Sequence, residues 1–234
     1  MGRKIGIDLG FNPEQMTVVY NSHESHAAAT QSTPRKVDDS FLESLCLPVI
    51  GAVIRLTPAK NLPLLIEAAR ILRQRGIPVT VAIAGEGPMR EELVTAAEQA
   101  EVDLRLLGAV YHPEDLQAIY KKLAVTVVPS TAGLTTVQSM SYGVPVITDD
   151  DIYGQAPESE AIIPGATGDT YTKGDANDLA NKIEHWLQKS DEERLQVREA
   201  CRAEISAKWN PESQSRIIER AIRSGFKDSN GQGS

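Results

Sequence analysis

The chain is 234 residues long, 41% apolar and 24% charged, with a net charge of −8. That length buries one substantial core, or a moderate core with an appendage. The acidic balance excludes a protein whose main task is tracking nucleic-acid phosphates, which needs clustered Lys and Arg, but leaves room for one cationic cleft.

The two cysteines, Cys46 and Cys201, lie far apart and in no Cys-x-x-Cys or Cys/His arrangement, which predicts two unpaired thiols in a reducing compartment. His23 and His26 read as surface loop rather than metal ligands. No apolar run approaches the roughly 20 residues of a membrane span. The basic start, Met1 to Lys4, is not followed by a signal-peptide core. A cytoplasmic location is expected, with peripheral association at a membrane surface left open.

Strand and helix signals alternate from about residue 48 to 190. The β-branched run Pro48 to Ile54 predicts a buried strand, and Asn61 then precedes a helix with Pro63 in its first turn. Leu65, Ala68, Ala69 and Leu72 share a face, and Gly76 ends the helix. The cycle repeats with a strand at Val79–Ala84 and a helix opened by Gly85-Glu-Gly-Pro88 and running to Ala100. A strand at Leu104–Leu107 and a helix at Pro113–Lys122 follow, then Ala124–Val128, Leu134–Tyr142 and Val144–Thr148. Asp175 caps a helix with Ala176, Leu179, Ala180 and Ile183 on one face. This rhythm predicts an α/β fold, a parallel sheet covered by helices on both faces.

Outside that domain of residues 48–190, the spacing predicts an entry segment with a first strand over 1–21 and a loop-rich stretch over 22–47. C-terminal helices follow over 191–226, broken at Asn210-Pro211, and then a disordered tail over 227–234.

Three segments would reach the edge where strands end and helices begin, the usual ligand crevice of such sheets. Arg55-Leu-Thr-Pro-Ala-Lys60 places two cations after a strand, suited to phosphate as a fork and a point charge. Gly85-Glu-Gly-Pro88 is a tight strand-to-helix turn. Pro129-Ser-Thr-Ala-Gly-Leu-Thr-Thr136 runs from a strand into a helix, with N–H groups at Gly133, Leu134 and Thr135 available to an anion. Each has a bland reading taken alone, and their joint arrival at one edge points to an anionic ligand.

In order, these segments resemble the donor-binding domain of GT-B glycosyltransferases of the glycosyl transferases group 1 type. Arg55…Lys60, Gly85-Glu-Gly-Pro88, Val128-Pro-Ser…Gly133 and Met140-Ser-Tyr-Gly-Val-Pro-Val-Ile147 carry the likeness, followed by Gly165-Ala-Thr-Gly168 and Gly174-Asp175. The resemblance implies a single Rossmann-like domain with a C-terminal helical tail, a nucleotide sugar as substrate, and no cofactor or metal. It implies donor diphosphate at Arg55, Lys60, Gly133, Leu134 and Thr135, ribose at Gln138, and the nucleobase beside Val110, Tyr111 and His112. Glu158 would belong to the donor-sugar loop, with Glu160 an equally legible candidate.

The departures are specific. Ile54 stands where the family has Gly, Gln138 where it has Glu, and the first carboxylate of the family's pair has no counterpart. The Gly133-Leu-Thr135 form resembles a known variant within the superfamily, so a variant donor site is expected. Asp149-Asp-Asp151 has the letters of a metal motif and the bland reading of a solvated loop.

The likeness implies an NDP-sugar hexosyltransferase missing its N-terminal acceptor domain, binding rather than turning over on its own. Ile217, Ile218, Ala221 and Ile222 are candidates for an apolar face toward that domain. A non-catalytic nucleotide- or sugar-binding module or degenerate fragment, and a nucleotide-sugar epimerase, stay open.

Overall fold

A computed structural model of the chain describes residues 2–22 and 45–229. The predicted loop at 23–44, with His23 and His26, and residues 230–234 lie outside the described residues.

Six parallel strands form one sheet: β1 (Val49–Val53), β2 (Thr80–Ala84), β3 (Asp103–Gly108), β4 (Leu123–Val128), β5 (Val146–Asp149) and β6 (Gly168–Tyr171). Their order is β3-β2-β1-β4-β5-β6, so the order reverses between β1 and β4. This is the Rossmann-like arrangement, in which the crevice beyond that reversal is the preferred ligand position.

Near-continuous apolar strands are explained by two covered faces. Ile50, Ala52, Val81 and Ile83 enter one cluster with Leu65 and Leu72 of α2 (Leu62–Gln74), Leu93 of α3 (Arg90–Ala100) and Ile183 of α6 (Ala176–Leu187). The alternate residues Val49, Ala82 and Ala84 enter a second cluster with Leu116, Ile119 and Tyr120 of α4 (Pro113–Lys122). Burying a side chain of this size contributes about 1.5–3 kcal/mol, so the alternation pins the register on both faces.

The predicted strands and helices stand within a few residues of their expected ends. α5 (Leu134–Ser141) stops at Tyr142-Gly143, with Gly143 at φ 80°, and Asp175 accepts from the N–H groups of Asn177 and Asp178 to cap α6. Asn61 differs from expectation. It takes a left-handed conformation, φ 47°, and makes no side-chain cap. A 3-10 turn at Pro58–Lys60 occupies the approach, and Asn61 closes that turn through its N–H to Pro58 O. Asn tolerates this conformation better than most residues.

β6 was absent from the sequence reading. Its register on β5, Val146 opposite Gly168 through Asp149 opposite Tyr171, rests on backbone pairing that a short polar segment does not advertise.

The predicted first strand is corrected. Gly2–Asp8 forms helix α1, and a 3-10 turn follows at Pro13–Gln15. Gly10, at φ 89°, and Pro13 interrupt the run before it reaches strand length. Residues 16–22 take no regular secondary structure and pair with no strand among the described residues. Side chains hold them instead. Tyr20 packs on Trp209 at 4.8 Å between ring centroids, Ser22 Oγ donates to Gln214 Oε1 (2.9 Å), and Gln214 Nε2 donates to Tyr20 O (3.0 Å).

The C-terminal helices are α7 (Asp191–Lys208), opened by a Ser190/Glu193 capping box, and α8 (Pro211–Ser229), which runs past the expected boundary at 226. No helix among the described residues is long and apolar enough to cross a membrane.

Candidate functional site at the strand-order reversal

Beyond β1 the chain keeps an extended path alongside the β2–α3 turn: Ile54 N–H donates to Ala84 O (2.8 Å) and Leu56 N–H to Glu86 O (3.0 Å). Ile54 and Leu56 are buried, so alternation turns Arg55 outward, and its guanidinium has no partner among the described residues. The glycines of Gly85-Glu-Gly-Pro88 serve this arrangement. A Cβ at Gly85 would collide with Ile54 O, and one at Gly87 with Leu56 O. The turn is glycine-rich because the Arg55 segment lies directly against it.

Lys60, at the end of the 3-10 turn, reaches across the reversal and donates from Nζ to Thr131 O (2.9 Å). Ser130 Oγ donates back to Ala59 O (2.7 Å), and Thr135 Oγ1 to Val53 O (3.2 Å). The β1 and β4 loops are thereby laced into one rim. Partial burial holds the Lys60 ammonium below its ordinary 10.5, and a bound anion would oppose that shift.

α5 begins at this rim. Gly133 precedes it without a side-chain cap, and a Cβ built there would meet nothing within 4 Å, so the approach to the helix is open. The N–H groups of Gly133, Leu134 and Thr135 have no acceptor among the described residues. Such N–H groups and the helix dipole favour an anion. Lys60 and Ala59 are thus tied to the loop that leads into this N-terminus, with Arg55 exposed earlier on the same segment after β1.

Gln138 lies half-buried on the next turn of α5, and its Oε1 accepts from Tyr120 Oη (3.0 Å). Burial, with Tyr142 stacked at 4.8 Å, pushes the Tyr120 phenol far above its ordinary range, so it remains a donor. A glutamine side chain can accept through Oε1 or donate through Nε2. Tyr120 takes that oxygen, and the amide N–H groups are what Gln138 presents. Val110 is buried, Tyr111 is 71% exposed, and His112 sits just before α4 with a buried Nδ1 that has no partner among the described residues. Thr136 Oγ1 of α5 is likewise buried without a partner.

Glu158 lies elsewhere in chemical terms. It is buried in a 3-10 segment, Pro157–Ala161, that packs on α5, and its Oε1 accepts from Asn21 Nδ2 (2.8 Å). Glu160 accepts from the Gly2 N–H (3.3 Å). Both carboxylates therefore tie the entry segment down.

The residue that sequence reasoning missed is Gln155. Its Oε1 accepts from the Ala132 N–H (2.8 Å), while Nε2 donates to Thr148 Oγ1 (3.0 Å) and Asp149 Oδ1 (2.8 Å). Thr131 Oγ1 donates to Gly154 O (2.7 Å) in parallel. The loop after β5 thus buttresses the loop in front of α5. No motif signalled this, because its partners are dispersed in sequence. The Asp149–Asp151 run is spent on the same loop. Asp150 Oδ1 accepts from the Lys173 N–H (3.0 Å), and Asp151 pairs with Lys173 Nζ (2.6 Å), which holds the Asp151 carboxyl low. Among the described residues no group of three or more His, Cys, Asp or Glu is arranged to hold a metal ion.

The chain is similar in sequence and in fold to known proteins. Amylovoran biosynthesis glycosyltransferase AmsK of Erwinia amylovora is 26% identical over 190 residues, covering 76% of this chain and 45% of AmsK. Poly(ribitol-phosphate) alpha-N-acetylglucosaminyltransferase of Staphylococcus aureus is 26% identical over 137 residues, 58% of this chain and 27% of that protein. Among solved structures, Anabaena HepE in complex with UDP superimposes with a TM-score of 0.73 at 20% identity, covering 95% of this chain and 61% of HepE. A TarM variant of S. aureus, in complex with fondaparinux, alpha-GlcNAc-glycerol and UDP, gives 0.70 at 22% identity, covering 93% and 41%. The chain spans less than half the length of the curated relatives it matches. The profile of glycosyl transferases group 1 matches residues 40–204. The chain belongs to the glycosyl transferases group 1 family.

Proposed function

We propose that this chain binds the donor of a hexosyl transfer, a nucleoside diphosphate sugar, in the crevice between the β1 and β4 loops. The observation that carries the reading is that half-buried Lys60 is tied to the loop before the open N-terminus of α5 at the strand-order reversal, with Arg55, which has no partner among the described residues, on the same segment. Two solved structures of the same fold are complexes with UDP.

In this reading Arg55 and Lys60 hold the diphosphate with the N–H groups of Gly133, Leu134 and Thr135. As the bond between the sugar C1 and the diphosphate oxygen breaks, charge grows on that oxygen, and these prearranged donors stabilise it. Gln138 donates an amide hydrogen to a ribose hydroxyl, while Tyr120 fixes its orientation. The base lies beside Val110, Tyr111 and His112. The acceptor belongs to a second, N-terminal domain, toward which the exposed Ile218 and Ile222 of α8 turn an apolar edge; Ile217 and Ala221 are half-buried. The chain alone binds without turnover. The setting of this chemistry is cytoplasmic.

Isothermal titration with UDP tests the reading. Saturable binding, weakened about 10–100-fold in Arg55→Ala, is the expected result, since a hydrogen bond to a charged group contributes about 1.5–3 kcal/mol. No binding at millimolar UDP sinks it. One observation favours a second reading, a nucleotide-binding module without catalysis: the Glu158 carboxylate is committed to Asn21. In that case UDP binds, and no glycosyl transfer follows even when an acceptor domain is supplied.

A further inference from the structure

The opposite edge of the sheet carries a second cationic feature that the donor reading does not use. Leu123 and Pro145, at the N-terminal ends of β4 and β5, floor a shallow depression closed by Trp186 and Lys189 at the end of α6 and by Arg194 and Arg198 of α7. Every charged side chain lining it is basic, on a chain whose net charge is −8. Arg194, Arg198 and Arg202 stand at helical i, i+4 and i+8 spacing on one face of α7.

A stripe of this kind is most simply structural, and two of its members are spent on backbone carbonyls. Arg194 donates to Leu187 O (2.6 Å) and Lys189 O (3.0 Å), closing the end of α6, and Arg202 donates to Tyr142 O (3.3 Å). Arg198 does not. It is half-buried between them, and its guanidinium has no hydrogen bond or ion pair among the described residues. Burial and the two flanking arginines disfavour its charge, in that order of size. Its N–H donors stay within reach of water and have no acceptor among the described residues, in a field of like charge.

The neighbouring acids are occupied or turned away. Glu193 is engaged in the capping box with Ser190, Glu204 pairs with Lys208 (2.9 Å), and Glu199 is exposed. Gly143 completes the floor: a Cβ there would meet Arg198 and the Arg202 Nε at 3.2 Å, so glycine lets the two guanidinium stems close on α5.

We propose that this depression is an anion site that takes a phosphate group, with Arg198 as its central ligand and Lys189 and Arg194 as flanking cations. A tetrahedral oxyanion supplies the acceptors Arg198 lacks, and a guanidinium fork matches two of its oxygens. The phosphate is either free or the headgroup of an anionic lipid, and the two sources share this chemistry.

The test uses inorganic phosphate titrated into the isotopically labelled chain at constant ionic strength, following the Gly143 and Arg198 amides. Saturable shifts that persist in Arg55→Ala and weaken about tenfold or more in Arg198→Gln are expected. A thermal shift with phosphate in wild type and Arg55→Ala, but not in Arg198→Gln, supports the same site. Circular dichroism of Arg198→Gln keeps misfolding from passing as lost binding, and Lys189→Gln, whose side chain lies over the Trp186 ring, gives a second variant. Sedimentation with phosphatidylglycerol vesicles, against pure phosphatidylcholine, separates the sources. Arg198-dependent pelleting assigns the lipid headgroup, and phosphate shifts without pelleting assign the free anion. Absence of saturable shifts at Gly143, or shifts abolished by Arg55→Ala and untouched by Arg198→Gln, overturns the proposal.

Discussion

The two edges of the sheet both gather cations, and they do so by different means. At the C-terminal edge, Arg55 and Lys60 come from one loop, and the site is shaped by neutral hydrogen bonds that lace three loops together through Ser130, Thr131, Thr135 and Gln155. At the N-terminal edge, the arginines come from one helix, with Lys189 from the turn before it, and carbonyl oxygens absorb two of the three arginines. A crevice built from loops can place backbone N–H groups and cations around a ligand together. A helix face can only present side chains, so its selectivity rests on the single guanidinium left without a partner.

The comparison breaks most readily at the β2–α3 turn. Gly85→Ala forces a methyl group into the carbonyl of Ile54 and is expected to cost about 3 kcal/mol, read as a lowered Tm, with loss of the Arg55 geometry. Preserved Tm and preserved UDP affinity would contradict the account of why glycine stands there. The double variant Arg55→Ala/Lys60→Ala is next. It should weaken UDP by at least the 10–100-fold of one charged contact while leaving phosphate response at Gly143 unchanged.

Gln155→Ala sharpens the loop side of the contrast. It leaves the buried Asp149 oxygen short of a donor and frees the loop before α5, so a stability loss of about 1–2 kcal/mol and weaker UDP binding are expected together. Unchanged UDP affinity would mean the buttress is structural only. A smaller effect concerns pH. Because burial lowers the Lys60 value, its charge fades on the alkaline side before an exposed lysine's does, and UDP affinity should start to fall below the ordinary 10.5. Lys60→Arg should remove that decline. The smallest effect is on thiol chemistry: Cys46 is exposed, whereas burial pushes the Cys201 thiol up to about 12, so Cys46 alone should react with Ellman's reagent until the chain unfolds.

What was legible in the sequence follows the same division. The strands and helices around Ile50, Val81 and Leu65 carried their own period, because each must bury a face that the chain spells out locally. β6 and the entry segment carried none. Asp169 and Thr170 pair with β5 through backbone alone, and residues 16–22 are held by Trp209, Gln214 and Glu158, distant in sequence. In the site, Arg55, Lys60 and the start of α5 were legible because they sit at fixed offsets from strand ends. Gln155 was not, since its role depends on three backbone segments meeting. The orientation of Gln138 was hidden for the same reason: Tyr120, which takes its oxygen, lies on another helix.

The most direct test of the central claim is an amide shift map on addition of UDP. Saturable shifts are expected at Arg55, Leu134, Thr135 and Gln138, with Gly143 and Arg198 unmoved at UDP concentrations that fill the crevice. Shifts confined to the α7 edge, or none at the start of α5, would contradict the claim.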